Sequence, residues 1–98
     1  MTDVTVTRND EAGRYEALAN GELAGYVEFR SRADHIIFTH TETLPEFAGQ
    51  GVGSALAEQA LADAVAKGLT IVPVCPFIAR YLRRHKIDGA SIEWPPGE

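Results

Sequence analysis

A single cysteine, no long apolar run and a shortage of basic residues bound what this sequence can be. Cys75 stands alone, so no intramolecular disulfide forms and the disulfide-stapled secreted domains are excluded. Nothing at the amino end joins basic residues to an apolar stretch, and the expectation is a cytoplasmic chain without a secretion signal. The longest apolar-dominated stretch, residues 71–79, is interrupted by Pro73 and Pro76 and falls far short of the ~20 residues that cross a bilayer, so no membrane role is expected. Lys and Arg number 9 against 14 Asp and Glu, a formal net charge of −5, which argues against nucleic acid as a partner. Any anion site must therefore be local.

What is present suits one small folded unit. Ninety-eight residues with 45% hydrophobic content fill one core and leave no room for a second, so the whole span 1–98 is expected to be a single domain. Residues 4–8, 14–18 and 23–30 are short, rich in β-branched or aromatic side chains, and separated by the turn sequences NDEAG and ANGE, which predicts an antiparallel meander. A fourth strand follows at 35–43, HIIFTHTET, and stops at Leu44-Pro45. Residues 52–67 are dominated by strong helix formers, with Lys67 in the last turn and Gly68 placed to cap it. Val52, Leu56, Ala60 and Ala64 share one stripe, mostly small, fitted to a helix lying close on a sheet. A buried strand at 70–74, a helix at 77–85, a last strand at 91–94 and a frayed PPGE tail complete the order β-β-β-β-α-β-α-β. The fold class is α+β, a mostly antiparallel mixed sheet with a central β-α-β unit and two helices.

Between the fourth strand and the first helix lies PEFAGQGVGSAL, residues 45–56, with glycines at 49, 51 and 53. The first N–H groups of a helix have no intrahelical partner and carry the positive end of its dipole, so a glycine-led helix start can hold a phosphate. A tight turn with an N-cap explains the glycines equally well. Two phosphate loops are excluded by what is missing: a P-loop needs Lys after its last glycine, where Ser54 stands, and the dinucleotide fingerprint needs a third glycine at Ser54 and an acidic residue near Pro73.

A meander, a strand, a GxGxG loop, a long helix, another strand and a short helix together resemble the GNAT superfamily of acetyl-coenzyme A-dependent N-acetyltransferases. PEFAGQGVGSAL and VPVCPFIARYLRRH are similar to its minimal branch of roughly hundred-residue members. The resemblance implies that the backbone of Gly49, Gln50, Gly51, Val52, Gly53 and Ser54 cradles the pyrophosphate of coenzyme A, and that the fourth and fifth strands splay apart to admit the pantetheine arm. Two positions depart from the pattern. Ala48 stands where the superfamily usually has Arg or Gln, and Lys86-Ile87 where the small branch usually has Pro-Glu after the histidine matching His85.

Acetylating an amine needs a neutral nucleophile, a polarised thioester carbonyl and a way to release the thiolate. Strict alternation along the fourth strand puts Ile36, Phe38, His40 and Glu42 on one face and Ile37, Thr39, Thr41 and Thr43 on the other. Histidine is the side chain that titrates nearest neutrality, and His40 is the candidate general base, with Glu42 in reserve. By the resemblance, His40 faces the thioester. Cys75 precedes Pro76 at the start of the second helix, where negative charge is favoured; in the small branch this CPF lies beside the coenzyme sulfur, so the thiol either accepts acetyl or positions the amine. Direct transfer is preferred, because the superfamily at large uses it. Tyr81 is the candidate general acid, near where many GNAT enzymes place the tyrosine that protonates the thiolate. Arg80, Arg83 and Arg84 form a basic face that meets the 3′-phosphate of coenzyme A, an acidic substrate, or only solvent.

The expected activity is acetyl-CoA-dependent acetylation of an amine, on a small molecule or a protein lysine, with acetyl-CoA as co-substrate and no metal. The alternative is a non-catalytic coenzyme A or acyl-coenzyme A binding module, since so small a chain has few loops with which to build an acceptor pocket. A nucleotide-binding regulator using the same loop is a third reading.

Overall fold

A computed structural model describes residues 4–96. Four strands, β1 (Val4–Asn9), β2 (Arg14–Ala19), β3 (Glu22–Arg32) and β4 (His35–Thr43), run antiparallel in sequence order. A 3-10 turn, Pro45–Phe47, leads into α1 (Val52–Ala66), followed by β5 (Thr70–Pro73), α2 (Pro76–Arg84) and β6 (Ser91–Ile92). The β4–β5 and β5–β6 pairs are parallel and extend the sheet to six strands in the order β1-β2-β3-β4-β5-β6 among the described residues. This is the mixed α+β sheet that the sequence implies. Two consecutive crossovers of one hand, stepping the same way across the sheet, put both helices on one face. That face carries the core; among the described residues the other is uncovered.

The buried residues explain the arrangement. On β2 every second residue is buried, Tyr15, Ala17 and Ala19, and Val27, Phe29, Ile36, Phe38 and Ile71 continue the layer across the sheet. From α1 come Val52, Leu56, Ala57, Ala60, Leu61 and Ala64, which widen the predicted stripe; from α2 come Ile78, Ala79 and Leu82. Three alanines on its buried face let α1 approach the strands closely. At Gly25 the approach is closest: a Cβ there would lie 2.6 Å from the Glu42 carbonyl oxygen and 3.0 Å from Val52 Cγ1. Only glycine fits beneath the first residue of α1.

Element ends differ slightly from the sequence reading. Lys67 caps α1, and Gly68 N–H to Val65 O with Leu69 N–H to Ala64 O, each 3.0 Å, closes it as a Schellman motif, which is the role predicted for Gly68. Pro76 opens α2 one residue earlier than expected, as proline favours the first helical position. β5 ends at Pro73 instead of Val74, and β6 at Ile92 instead of Trp94, although Glu93 N–H still reaches Ile71 O at 2.9 Å. The last two residues of the predicted tail, Gly97 and Glu98, lie outside the described residues. Among the described residues no helix is long and apolar enough to cross a membrane.

One polar cluster ties α1 to the first two strands. The Tyr15 hydroxyl donates to Asp63 on α1, Lys67 Nζ bonds both Asp63 oxygens at 2.7 and 2.8 Å, and Arg8 Nη1 donates to the Tyr15 oxygen at 3.1 Å. Arg8 also lies over the Phe29 ring, 4.6 Å from its centroid. Burial, then the bond to Asp63, pushes the Tyr15 phenol above its ordinary 10.0. Burial alone would raise Asp63; the bonds from Lys67 and Tyr15 outweigh it and hold the carboxyl below its usual range. A phenol raised in the folded state contributes stability that is complete below the unfolded value and is lost as pH rises above about 10. Tyr15→Phe is therefore expected to cost about 1 kcal/mol at neutral pH and to flatten the alkaline fall in stability, read from urea midpoints between about pH 8 and 11. Equal alkaline slopes in the two proteins would contradict the anchor.

Candidate active site

The site begins where the sheet stops being continuous. The parallel ladder joins residues 35–38 of β4 to 70–73 of β5 and ends at the Phe38–Pro73 pair. Beyond it Cys75 N–H gives one more bond to Phe38 O at 2.8 Å, the chain turns into α2, and β4 runs on to Thr43 with no strand on that side among the described residues. The two strands part here, as the resemblance implied. An extended ligand with amide groups can pair with such an open edge as an added strand does.

At the same level β4 carries a bulge that strict alternation did not anticipate. Phe29 pairs with Phe38 and Glu28 with His40, so Thr39 is the extra residue; its hydroxyl donates to the Glu28 carbonyl at 3.4 Å. One inserted residue reverses every later side chain. Ile36 and Phe38 are buried under the helices, but His40 and Glu42 point to the uncovered face, and Thr41 takes the inner side. The expectation that His40 shares a face with Phe38 is thereby corrected. His40 and Glu42 do remain together, with Nε2 3.0 Å from Glu42 Oε1, and the Tyr26 ring lies 6.4 Å away, centroid to centroid.

Cys75 is on the other side of the sheet. It is buried, caps the N-terminus of α2 through its backbone, and its Sγ lies 3.2 Å from Thr41 Oγ1. Thr41 was not singled out from the sequence; only the bulge brings it inward. Tyr81 lies six residues further along α2, roughly 9 Å up the axis. Burial, then the charge of Glu58, raises its phenol above the ordinary value, and its ring stacks on His85 with centroids 4.2 Å apart. The three candidate catalytic residues thus occupy three stations: His40 outside the sheet, Cys75 inside it at the opening, Tyr81 along the second helix.

The glycine loop lies on the helix side. Gly51 caps α1 with φ 78°, no side chain among the described residues caps the helix, and no acidic residue occupies its first turn. The first backbone N–H groups of α1 are therefore left for water or a ligand. The loop and the helix start line a cleft of about 260 Å³ with Gly49, Gly51, Gly53 and Ser54, and with Phe47 and Phe77 as side walls. At Gly53 a Cβ would lie 2.9 Å from Phe77 Cζ, so any larger residue there would push aside the ring that α2 packs over the loop. Gln50 bends back, its Nε2 3.4 Å from the Glu46 carbonyl. Phe77 was missed as a site residue, although its place directly after Cys75-Pro76 was a signal. Among the described residues no three of His, Cys, Asp and Glu gather as a metal site requires.

Residues 14–90 match the family model described as GCN5-related N-acetyl-transferase, and the chain belongs to that family. No curated protein matches the chain. The match takes in the bulged strand, the glycine loop, the parting of β4 from β5, and α2.

The contact between loop and second helix is open to a double-mutant test. Gly53→Ala is expected to destabilise the protein by about 1 to 3 kcal/mol by driving the Phe77 ring aside, and Phe77→Leu in the same chain is expected to recover much of that loss. Additive losses in thermal unfolding would show that the ring does not confine Gly53.

Proposed function

We propose that the chain is an acetyl-coenzyme A-dependent N-acetyltransferase acting on an amine, either a small molecule or a protein lysine, and that residues 1–98 form one such domain. The observation that carries this reading is a cleft lined both by the glycine-led start of α1, which has no side-chain cap among the described residues, and by Thr43, the end of the β4 segment that runs past its last pair with β5. Their chemistry fits coenzyme A: donors carrying positive potential suit the pyrophosphate, and a free strand edge suits the amides of the pantetheine arm. Gly49, Gln50, Gly51, Val52, Gly53 and Ser54 form the cradle. Free Cys75 suits the reducing cytoplasm, where we place the enzyme.

The bound coenzyme would supply an acetyl thioester at the opening between β4 and β5. Thr41 and Cys75 lie on the helix side of that opening and position the thioester. His40 lies on the uncovered side, from which the amine arrives; it takes the proton that the attacking nitrogen loses, while Glu42 holds the imidazole by its Nε2. Carbon–nitrogen bond formation and carbon–sulfur bond cleavage leave a thiolate, for which Tyr81, kept protonated by its raised pKa, is the proton donor. Because His40 and Cys75 stand on opposite faces, His40 is badly placed to activate the thiol, which favours direct transfer over an acetyl-cysteine intermediate.

With an amine substrate found by screening, His40→Ala is expected to lower kcat roughly a hundred- to ten-thousandfold with little change in the KM for acetyl-coenzyme A. Cys75→Ala is expected to retain measurable turnover and to leave no acetylated enzyme in mass spectra. An acetylated Cys75 that chases to product would replace direct transfer by a ping-pong route. Coenzyme binding without transfer to any amine would instead favour a non-catalytic binding module.

A further inference from the structure

We propose that the acceptor is a small primary amine on an apolar body, and that this body lies along the uncovered face of the sheet on Ile37, Val72 and Val74. The proposal rests on the acetyltransferase reading above and adds to it the class of acceptor. A cleft of about 410 Å³, larger than the loop cleft, lies on that face. Ile36, Phe38, Ile71 and Pro73 are buried under the helices, so alternation turns Ile37 and Val72 outward, where they pair with each other and floor the cleft. The next pair, Phe38–Pro73, is the last of the parallel ladder, so the floor ends at the opening. Val74 continues the alternation between buried Pro73 and Cys75 and is 48% exposed. The apolar track therefore reaches the opening on the face that His40 occupies, and water covers it until an apolar group displaces that water.

Charge distinguishes the two ends of the track. At the opening Glu42 lies 3.0 Å from His40 Nε2, and Glu28 pairs with His40 across β3 and β4, so carboxylates stand where an ammonium arrives. At the far end Asp34 and Glu93 line the cleft, but both are engaged by His35, whose Nδ1 is 2.9 Å from Asp34 and whose Nε2 is 3.3 Å from Glu93. The bond to Asp34, then that to Glu93, raises the His35 pKa and favours the imidazolium. Together with Arg32 on the same rim it offsets the two carboxylates, so a second ammonium gains little at that end. From His40 back to Ile37 is three residues of strand, at most about 10 Å, which is roughly the reach of a hexyl chain. One ammonium followed by an apolar chain of that length matches the order of groups along the track.

The test is acetyl transfer from acetyl-coenzyme A to ethylamine, butylamine, hexylamine, hexamethylenediamine and a lysine-containing peptide, by the wild type, Val72→Thr, Val74→Thr and Leu18→Thr. The wild-type kcat/KM is expected to rise about two- to threefold for each added methylene, through the KM for the amine, and to favour hexylamine over the diamine by about tenfold. Val72→Thr and Val74→Thr, which keep size and β-branching, should each shrink the hexylamine-to-ethylamine ratio severalfold. Leu18→Thr, which removes an apolar side chain from the same face outside the cleft, should keep that ratio. Equal kcat/KM along the series, or the diamine or the peptide ahead of hexylamine, would overturn the proposal and leave the acetyltransferase reading standing. So would a ratio unmoved by both valine variants, which would put the apolar body elsewhere. Bound coenzyme with transfer to none of these amines would overturn the proposal together with the reading it rests on.

Discussion

Everything at the candidate site depends on the place where β4 loses its neighbour. A parallel ladder is held by evenly spaced backbone bonds, and here it runs for four residue pairs before Pro73, which has no N–H to donate, ends β5. The final bond, from Cys75 to Phe38, anchors the two chains just before they part. Backbone groups left on the open edge of β4 must find water or a ligand. The same parting turns the chain into α2, which sets Cys75 at the throat of the opening and Phe77 over the glycine loop. One break in hydrogen bonding therefore generates the opening, its thiol and one wall of its cleft.

The rest of the fold holds that break in a fixed shape. α1 lies close on the sheet because its buried face is largely alanine and because Gly25 makes room for Val52. Asp63, bonded to Tyr15 and Lys67, fastens the far part of the helix to β2. With the helix fixed along its length, its uncapped first turn is fixed too, and fixed donors bind an anion without first having to be ordered. Left-handed Gly51 leaves the start of α1 without a side-chain cap, and a bound anion supplies the interaction that such a cap would give.

Much of this was legible in the sequence. The strand meander, both helices, the closure of α1 at Gly68, the loop at 49–53 and the family resemblance all follow from short-range signals: turn residues, helix propensity, glycine spacing. The faces of β4 beyond Phe38 were not legible. Apolar alternation ends at Phe38, and the following T-H-T-E is polar at every position, so no hydrophobic pattern marks an inserted residue. The bulge at Thr39 is set by pairing with β3, a long-range constraint, and it alone decides that His40 faces out and Thr41 faces Cys75. Phe77 illustrates a second limit. Its role as a wall of the loop depends on the angle at which α2 leaves β5, which local sequence does not encode.

In the account that results, the coenzyme is held on the helix side, the amine arrives from the uncovered face, and the opening beside the bulge is where they meet. Its central claim is that the first turn of α1 cradles the pyrophosphate. The most direct test is to titrate acetyl-coenzyme A into isotope-labelled protein and follow the backbone amide resonances. Saturating one-to-one shifts at Gly49, Gly51, Val52, Gly53 and Ser54, with a second group along residues 39–43 of β4, are predicted. An intact, folded protein whose loop amides do not move at saturating coenzyme would contradict the account.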